Sequence, residues 1–290
     1  GGFTVTLPVA LVRDRELQAG DEVECAEVEQ GLLLASPQGK QETSLHIDTS
    51  SFDNRMILNL LNQGYRLGYD VLSLTFQSQE QYTFVETCMP MLLGFEIVEK
   101  DKHHCILQNI AEPDQEKFEV ILRKLFLQLL WLSDRIVQNF AAADFKRGEY
   151  ASTKLQIDKL TNFLRRTVIR THHGGKKAAL LYSVITQLSL IGHSYVYLYE
   201  YAAEQRVTIS QKAKEHLLQI HQLLQKYYDG FYKKDLSLFS QIGKQKITLF
   251  KQNNALLEKG KGCELVVLSY ARETIRTIHM ATPATIGYFL

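Results

Sequence analysis

From Phe118 onward the apolar residues of this 290-residue chain recur at steps of three and four almost to its C-terminus, and that spacing constrains the fold more than any other feature. Phe118, Leu122, Leu125, Leu129, Leu132, Ile136 and Phe140 make one stripe. An α-helix turns every 3.6 residues, so the stripe lies on one helix face and has to be covered by another element. A second helix is expected over about 147–170, with Ile157, Leu160, Leu164 and Val168 inward. After His172-His173-Gly174-Gly175 a third should run over about 176–204. Ser210 is placed to cap a fourth, whose inner face holds Leu217, Ile220, Leu224 and Phe231. Residues 235–257 predict a fifth helix and 263–290 a sixth. Pro283 should kink or stop the last one, because proline removes a hydrogen bond and clashes with the preceding turn.

Ahead of the helices the pattern is different. Thr4 to Leu7 alternates like a strand, residues 8–16 can turn helically, and Gly20-Asp21 marks a turn before strands at 23–28 and 32–34. A polar stretch over 36–44 reads as a linker. Strands are expected near 45–48, 71–76, 95–99 and 105–108, separated by helices over 53–64 and 80–93, which describes a small α/β sandwich. The expected organisation is therefore α+β but mainly α, with a β module at 1–38, an α/β region at 43–110 and a helical region at 113–290.

Composition excludes some classes. A 45% hydrophobic share with 22% charge is ordinary for a folded chain of two or three domains, not a disordered one. No run approaches the roughly 18 uninterrupted apolar residues of a membrane span, so a cytoplasmic protein without membrane insertion is expected. Cys25, Cys88, Cys105 and Cys263 are scattered and form no C-x-x-C pair, which predicts reduced core thiols. The net charge of +1 hides an asymmetry, because residues 1–50 carry nine Asp/Glu against three Lys/Arg.

The six helices read as three repeated once, over 113–205 and 208–290. Asp144-Phe145 precedes Ile157-Asp158-Lys159-Leu160, and about 90 residues later Asp235-Leu236 precedes Lys246-Ile247-Thr248-Leu249. Likewise Leu188-Ser189-Leu190-Ile191-Gly192-His193 aligns with Ile275-Arg276-Thr277-Ile278-His279-Met280. These features resemble the PhoU phosphate-uptake regulators, in particular the archaeal form in which an AbrB/SpoVT/MazE-type module precedes the PhoU repeats. Val5-Thr6-Leu7-Pro8 followed by Leu17-Gln18-Ala19-Gly20-Asp21-Glu22-Val23 is similar to the AbrB signature, and Leu190-Ile191-Gly192 sits where the family's third-helix phrase belongs. The resemblance implies a two-repeat, six-helix bundle, a homodimer, and protein partners such as a phosphate transporter ATPase or a sensor kinase. It also implies DNA contact through the first module.

Two departures modify those expectations. The family's metal positions, where a Glu and an Asp four residues apart converge on iron or zinc, hold Ser189 and His193 in the first repeat and Arg276 and Met280 in the second. A hydroxyl, an imidazole, a guanidinium and a thioether do not repay a cation's lost hydration, so no bound metal or other cofactor is expected; His193 with Asp158 is the residual candidate. Arg13 and Arg15 are the DNA-binding candidates of a module whose acidic surplus repels phosphate. An AbrB-type transcription factor with a sensing helical part, or a degenerate metal-free scaffold, are the rival readings.

The most basic stretch, Arg165, Arg166, Arg170, Lys176 and Lys177 with His172 and His173, surrounds the Gly174-Gly175 turn and is a candidate docking site for an anion or an acidic partner. Tyr182, Tyr195, Tyr197, Tyr199 and Tyr201 read as core and interface filler. His103-His104 lacks ligands at metal spacing. Neither G-x-S-x-G nor H-E-x-x-H occurs, so no catalytic residue is assigned and a non-enzymatic role is expected.

Overall fold

The computed structural model describes residues 4–14, 17–21, 23–28, 31–35, 42–111 and 116–290. The chain forms two compact units, 1–43 and 44–290, so the α/β region and the helical region belong to one body. In the first unit, helix α1 (Val9–Asp14) precedes an antiparallel hairpin of β1 (Glu24–Val28) and β2 (Gly31–Ala35). Gly20 supplies the left-handed turn between them, with φ +102°. Thr4 to Leu7 does not form the expected strand. A strand is defined by a hydrogen-bonded neighbour, and β1 and β2 pair with each other.

The second unit opens with a four-stranded mixed sheet. Strand β3 (Ser44–Asp48) leads through helix α2 (Asn54–Arg66) to the parallel strand β4 (Val71–Thr75). Helix α3 (Gln79–Cys88) then crosses to β5 (Phe95–Lys100), which hairpins into β6 (His104–Asn109), giving the order β3-β4-β6-β5. Both crossovers move in the same direction across the sheet, so right-handed connections put α2 and α3 on one face. Alternation fits this geometry: Ile47, Leu72, Leu74, Cys105 and Leu107 are buried under the helices, while His46, Ser73 and His104 point to the other side. Asp53 and Ser78 cap the helices through the amides of Met56 and Gln81. The helix expected over 80–93 ends earlier, at Cys88, because Pro90 lies in a short 3-10 turn at Met89–Met91.

Gly94 closes that turn with φ +88°, and a Cβ there would stand 2.5 Å from the Ala111 carbonyl oxygen. A side chain meets both a left-handed backbone and a main-chain atom that cannot swing aside. Gly94→Ala should therefore lower stability by about 2–3 kcal/mol, read from a denaturant midpoint; a loss under about 0.5 kcal/mol would contradict the geometry.

The helical region comprises α4 (Glu116–Ala142), α5 (Ala151–Thr171), α6 (Ala178–Gln205), α7 (Gln211–Lys233), α8 (Leu236–Lys259) and α9 (Cys263–Phe289). All seven residues of the first apolar stripe are buried, as are the inward residues expected on α5 and α7. Helices α4 and α7 run antiparallel: Phe126 packs on Phe231, Ser133 meets His221, and Lys214 reaches the Ala141 carbonyl. Helices α6 and α9 also run antiparallel, with Leu180 against Gly287 and Tyr201 beside Cys263. Gly192 lets α6 approach closely, since a Cβ there would lie 2.8 Å from Ile157 and 2.9 Å from Leu129.

Helix α9 continues through Pro283, against expectation. The proline sits in the last two turns, and the hydroxyls of Thr282 and Thr285 donate to the Ile278 and Ala281 carbonyls beside it. By length and hydropathy the segment Gly175–Gln205 is long and apolar enough to cross a membrane, which the sequence reading did not foresee. Within the fold, 56% of its most apolar stretch is buried against other helices, as in a core helix.

Candidate functional site

The polar side chains of this chain gather where α2 and the start of α6 meet the middle of α5. Asp158, Asn162 and Arg165 recur at steps of four and three, so they share one face of α5. Tyr182, Thr186, Ser189 and His193 make the matching stripe on α6, and Arg66 arrives from the last turn of α2. His193 Nε2 lies 2.7 Å from Asp158 Oδ1, and Lys154 Nζ donates to Asp158 Oδ2 at 3.2 Å. Burial alone would raise the Asp158 pKa; the hydrogen bond and charge of His193, with Lys154, outweigh it and hold the carboxyl below its usual range.

The predicted basic group does not converge on the Gly174-Gly175 turn. Arg166 is fully buried and donates from Nη1 to the carbonyls of Tyr65 (2.8 Å) and Tyr69 (2.9 Å), with its guanidinium over the rings of Tyr65 and Phe95. Arg170 donates to the Gly68 carbonyl at 2.7 Å and forms a close ion pair with Asp70, which also lies 4.0 Å from Arg166. These two arginines stand four residues apart on one face and fasten α5 to the turn between α2 and β4. Arg165 projects from the neighbouring face, 7% exposed, with Tyr182 5.7 Å from its guanidinium. Lys176 and Lys177 lie in a 3-10 turn beyond, where His172, Gly174 and Gly175 all adopt positive φ; the His173 ring packs tilted against Phe118. A linear reading places charge outward by default, and no local signal marks three arginines that have buried partners about 100 residues away.

The family-aligned metal positions part company. Ser189 is buried on α6 and His193 is engaged with Asp158, whereas Arg276 is exposed and Met280 is 51% exposed on α9. The α9 pair therefore faces solvent instead of lining an inward site. Among the described residues, no three His, Cys, Asp or Glu side chains group so as to hold a metal ion.

Several other candidates have clear places. Arg13 is exposed on α1, and Arg15 lies outside the described residues. Tyr195 and Tyr199 are buried while Tyr197 is exposed. Cys88 and Cys105 are buried thiols whose pKa values burial pushes up, to about 11 and about 12, which leaves them protonated and unreactive at neutral pH. His104 on β6 and His46 on β3, the two neighbours of β4 in the sheet, both contact the Ser73 hydroxyl on the uncovered side, at 2.9 and 3.1 Å. Strand alternation at 46, 73 and 104 carries the signal for that trio, but only the strand order brings it together.

No protein-family model matches the chain, and neither a curated protein nor a solved structure does.

Proposed function

We propose that the chain is a PhoU-like, non-enzymatic regulator of phosphate uptake or phosphate signalling that acts through protein contacts. In this reading residues 113–205 and 208–290 are two tandem three-helix repeats of one six-helix bundle, and the first module supplies dimerisation and DNA contact. Its main support is the pairing of the helices. Helices α4 and α7 run antiparallel side by side, and so do α6 and α9, which fits a twofold axis across the helices relating the triplets α4-α5-α6 and α7-α8-α9. The exchange of carboxylates for Ser189, His193, Arg276 and Met280 fits a member that has set metal binding aside and kept its protein-binding role.

Affinity capture by the full chain from its native cytoplasm tests this. The expected result is recovery of a phosphate transporter ATPase or a sensor kinase, lost when helical surface residues are changed. Recovery of neither, together with sequence-specific promoter binding that falls steeply with salt, would sink the proposal in favour of a transcription factor.

A further inference from the structure

Arg165 is the least explained charge in the molecule. It is 7% exposed, its buried Nε has no hydrogen-bond partner, and among the described residues it makes no hydrogen bond or ion pair. The face of the Tyr182 ring lies 5.7 Å from its guanidinium. Buried arginines are ordinarily paired, because an ionised group away from water costs far more than a ring face returns.

A second guanidinium is held beside it. Arg66 Nε donates to Asn162 Oδ1 at 2.8 Å, and Asn162 Nδ2 in turn donates to Asn62 Oδ1 at 2.8 Å and the Met91 carbonyl at 3.4 Å. Asn162 is fully buried, so this relay fixes the Arg66 stem instead of leaving it to solvent. Burial first, and the charge of Arg66 second, push the Arg165 pKa down to about 10, so both groups stay cationic at neutral pH. The charge of Asp158 acts on both, and its carboxylate is already bonded to His193 and Lys154. Arg66, Arg165 and Lys154 against Asp158 leave two positive charges in surplus.

We propose that Arg66 and Arg165 form a binding site for a dianionic tetrahedral oxyanion, either inorganic phosphate or the phosphate group of a small phosphomonoester. Each guanidinium presents parallel N–H donors that match a pair of oxygens, and two such forks require a ligand with more than two oxygens. A dianion cancels the surplus charge. Asp158 and His193 keep 20% and 24% side-chain exposure, so the seam reaches solvent at their end. Arg166 and Arg170 contribute nothing, being committed to carbonyls and Asp70. The site is independent of the regulatory reading above, since a transcription factor or scaffold would carry it equally.

The test titrates inorganic phosphate and, separately, ribose 5-phosphate into the full chain, followed by calorimetry and thermal unfolding. At a hundredfold excess over Kd the midpoint should rise by roughly 5 °C or more. Arg165→Met, which keeps the buried stem, should weaken binding at least tenfold. Without ligand, it should be as stable as the parent or more so, because it removes an unpaired buried charge. Arg66→Gln, at a partly buried position, gives the same loss of binding if the first variant folds poorly. A Lys176→Gln/Lys177→Gln variant should bind like the parent. Response to phosphate alone assigns the free anion, and response to ribose 5-phosphate alone assigns an ester. No response to either up to about 10 mM, equal affinity in Arg165→Met, or loss confined to the lysine variant would each overturn the proposal.

Discussion

Arg166→Ala should cost about 3–5 kcal/mol of stability and loosen the α/β region from the helical region. Two backbone carbonyls lose their donor, that of Tyr65 in a buried hydrogen bond and that of Tyr69 in a part-buried one. The rings of Tyr65 and Phe95 lose the cation beside them, and Asp70 loses one of the two guanidiniums near its carboxylate. Leaving one partner of a buried charged cluster unmatched is worse than replacing the whole cluster, so Arg166→Met is expected to cost less than the alanine variant but not to be neutral. Denaturant unfolding followed by α/β-region and helical-region probes should change from one coincident transition to two. A loss below about 1 kcal/mol with coincident transitions would show that the apolar contacts between α2 and α5 suffice without the arginine.

Acidification should weaken the fold well above the carboxylate range, through two histidines inside the helical region. His216 Nε2 faces Asn253 Oδ1 at 3.0 Å, and His221 Nδ1 faces the Ser133 hydroxyl at 2.7 Å, whose own proton goes to the Leu130 carbonyl. Burial lowers the pKa of both from 6.5, outweighing the Asn253 bond in the first and the Asp134 charge in the second. Below pH 6.5 the unfolded chain takes up protons that the folded chain refuses. Stability from these groups is thus complete above about pH 6.5 and lost as pH falls toward the folded values, at up to about 1.4 kcal/mol per pH unit for each histidine. Denaturant midpoints between pH 7 and 5 should show this slope, and His216→Gln/His221→Gln should flatten it, leaving the part due to His173 and His279, whose pKa values burial also lowers. An unchanged slope in the double variant would place the proton uptake elsewhere.

Much of the architecture was legible because it is local. The steps of three and four from Phe118 to Phe140 named every buried residue of α4's first stripe, and Ser210 and Asp235 cap the helices they precede. The strands expected near 45–48, 71–76 and 105–108 are present, with Ile47, Leu72 and Leu107 on the covered side of the sheet. Where local rules failed, a tertiary compensation was at work. Pro283 stays helical beside two threonines that satisfy nearby carbonyls, and Thr4 to Leu7 alternates like a strand yet pairs with neither β1 nor β2.

The charged residues mark the boundary most clearly. Arg165, Arg166 and Arg170 read as one basic tip, and Ser189, His193, Arg276 and Met280 as one set of inward positions. Sequence spacing determined which helix face each occupies, since that follows from 3.6 residues per turn. Only the tertiary structure decided whether that face meets carbonyls, an aspartate, an unpaired arginine or water, because the partners at Tyr65, Gly68, Asp70 and Arg66 lie about 100 residues away along the chain. The free energy of burying a charge is set by those partners, and no local pattern encodes it.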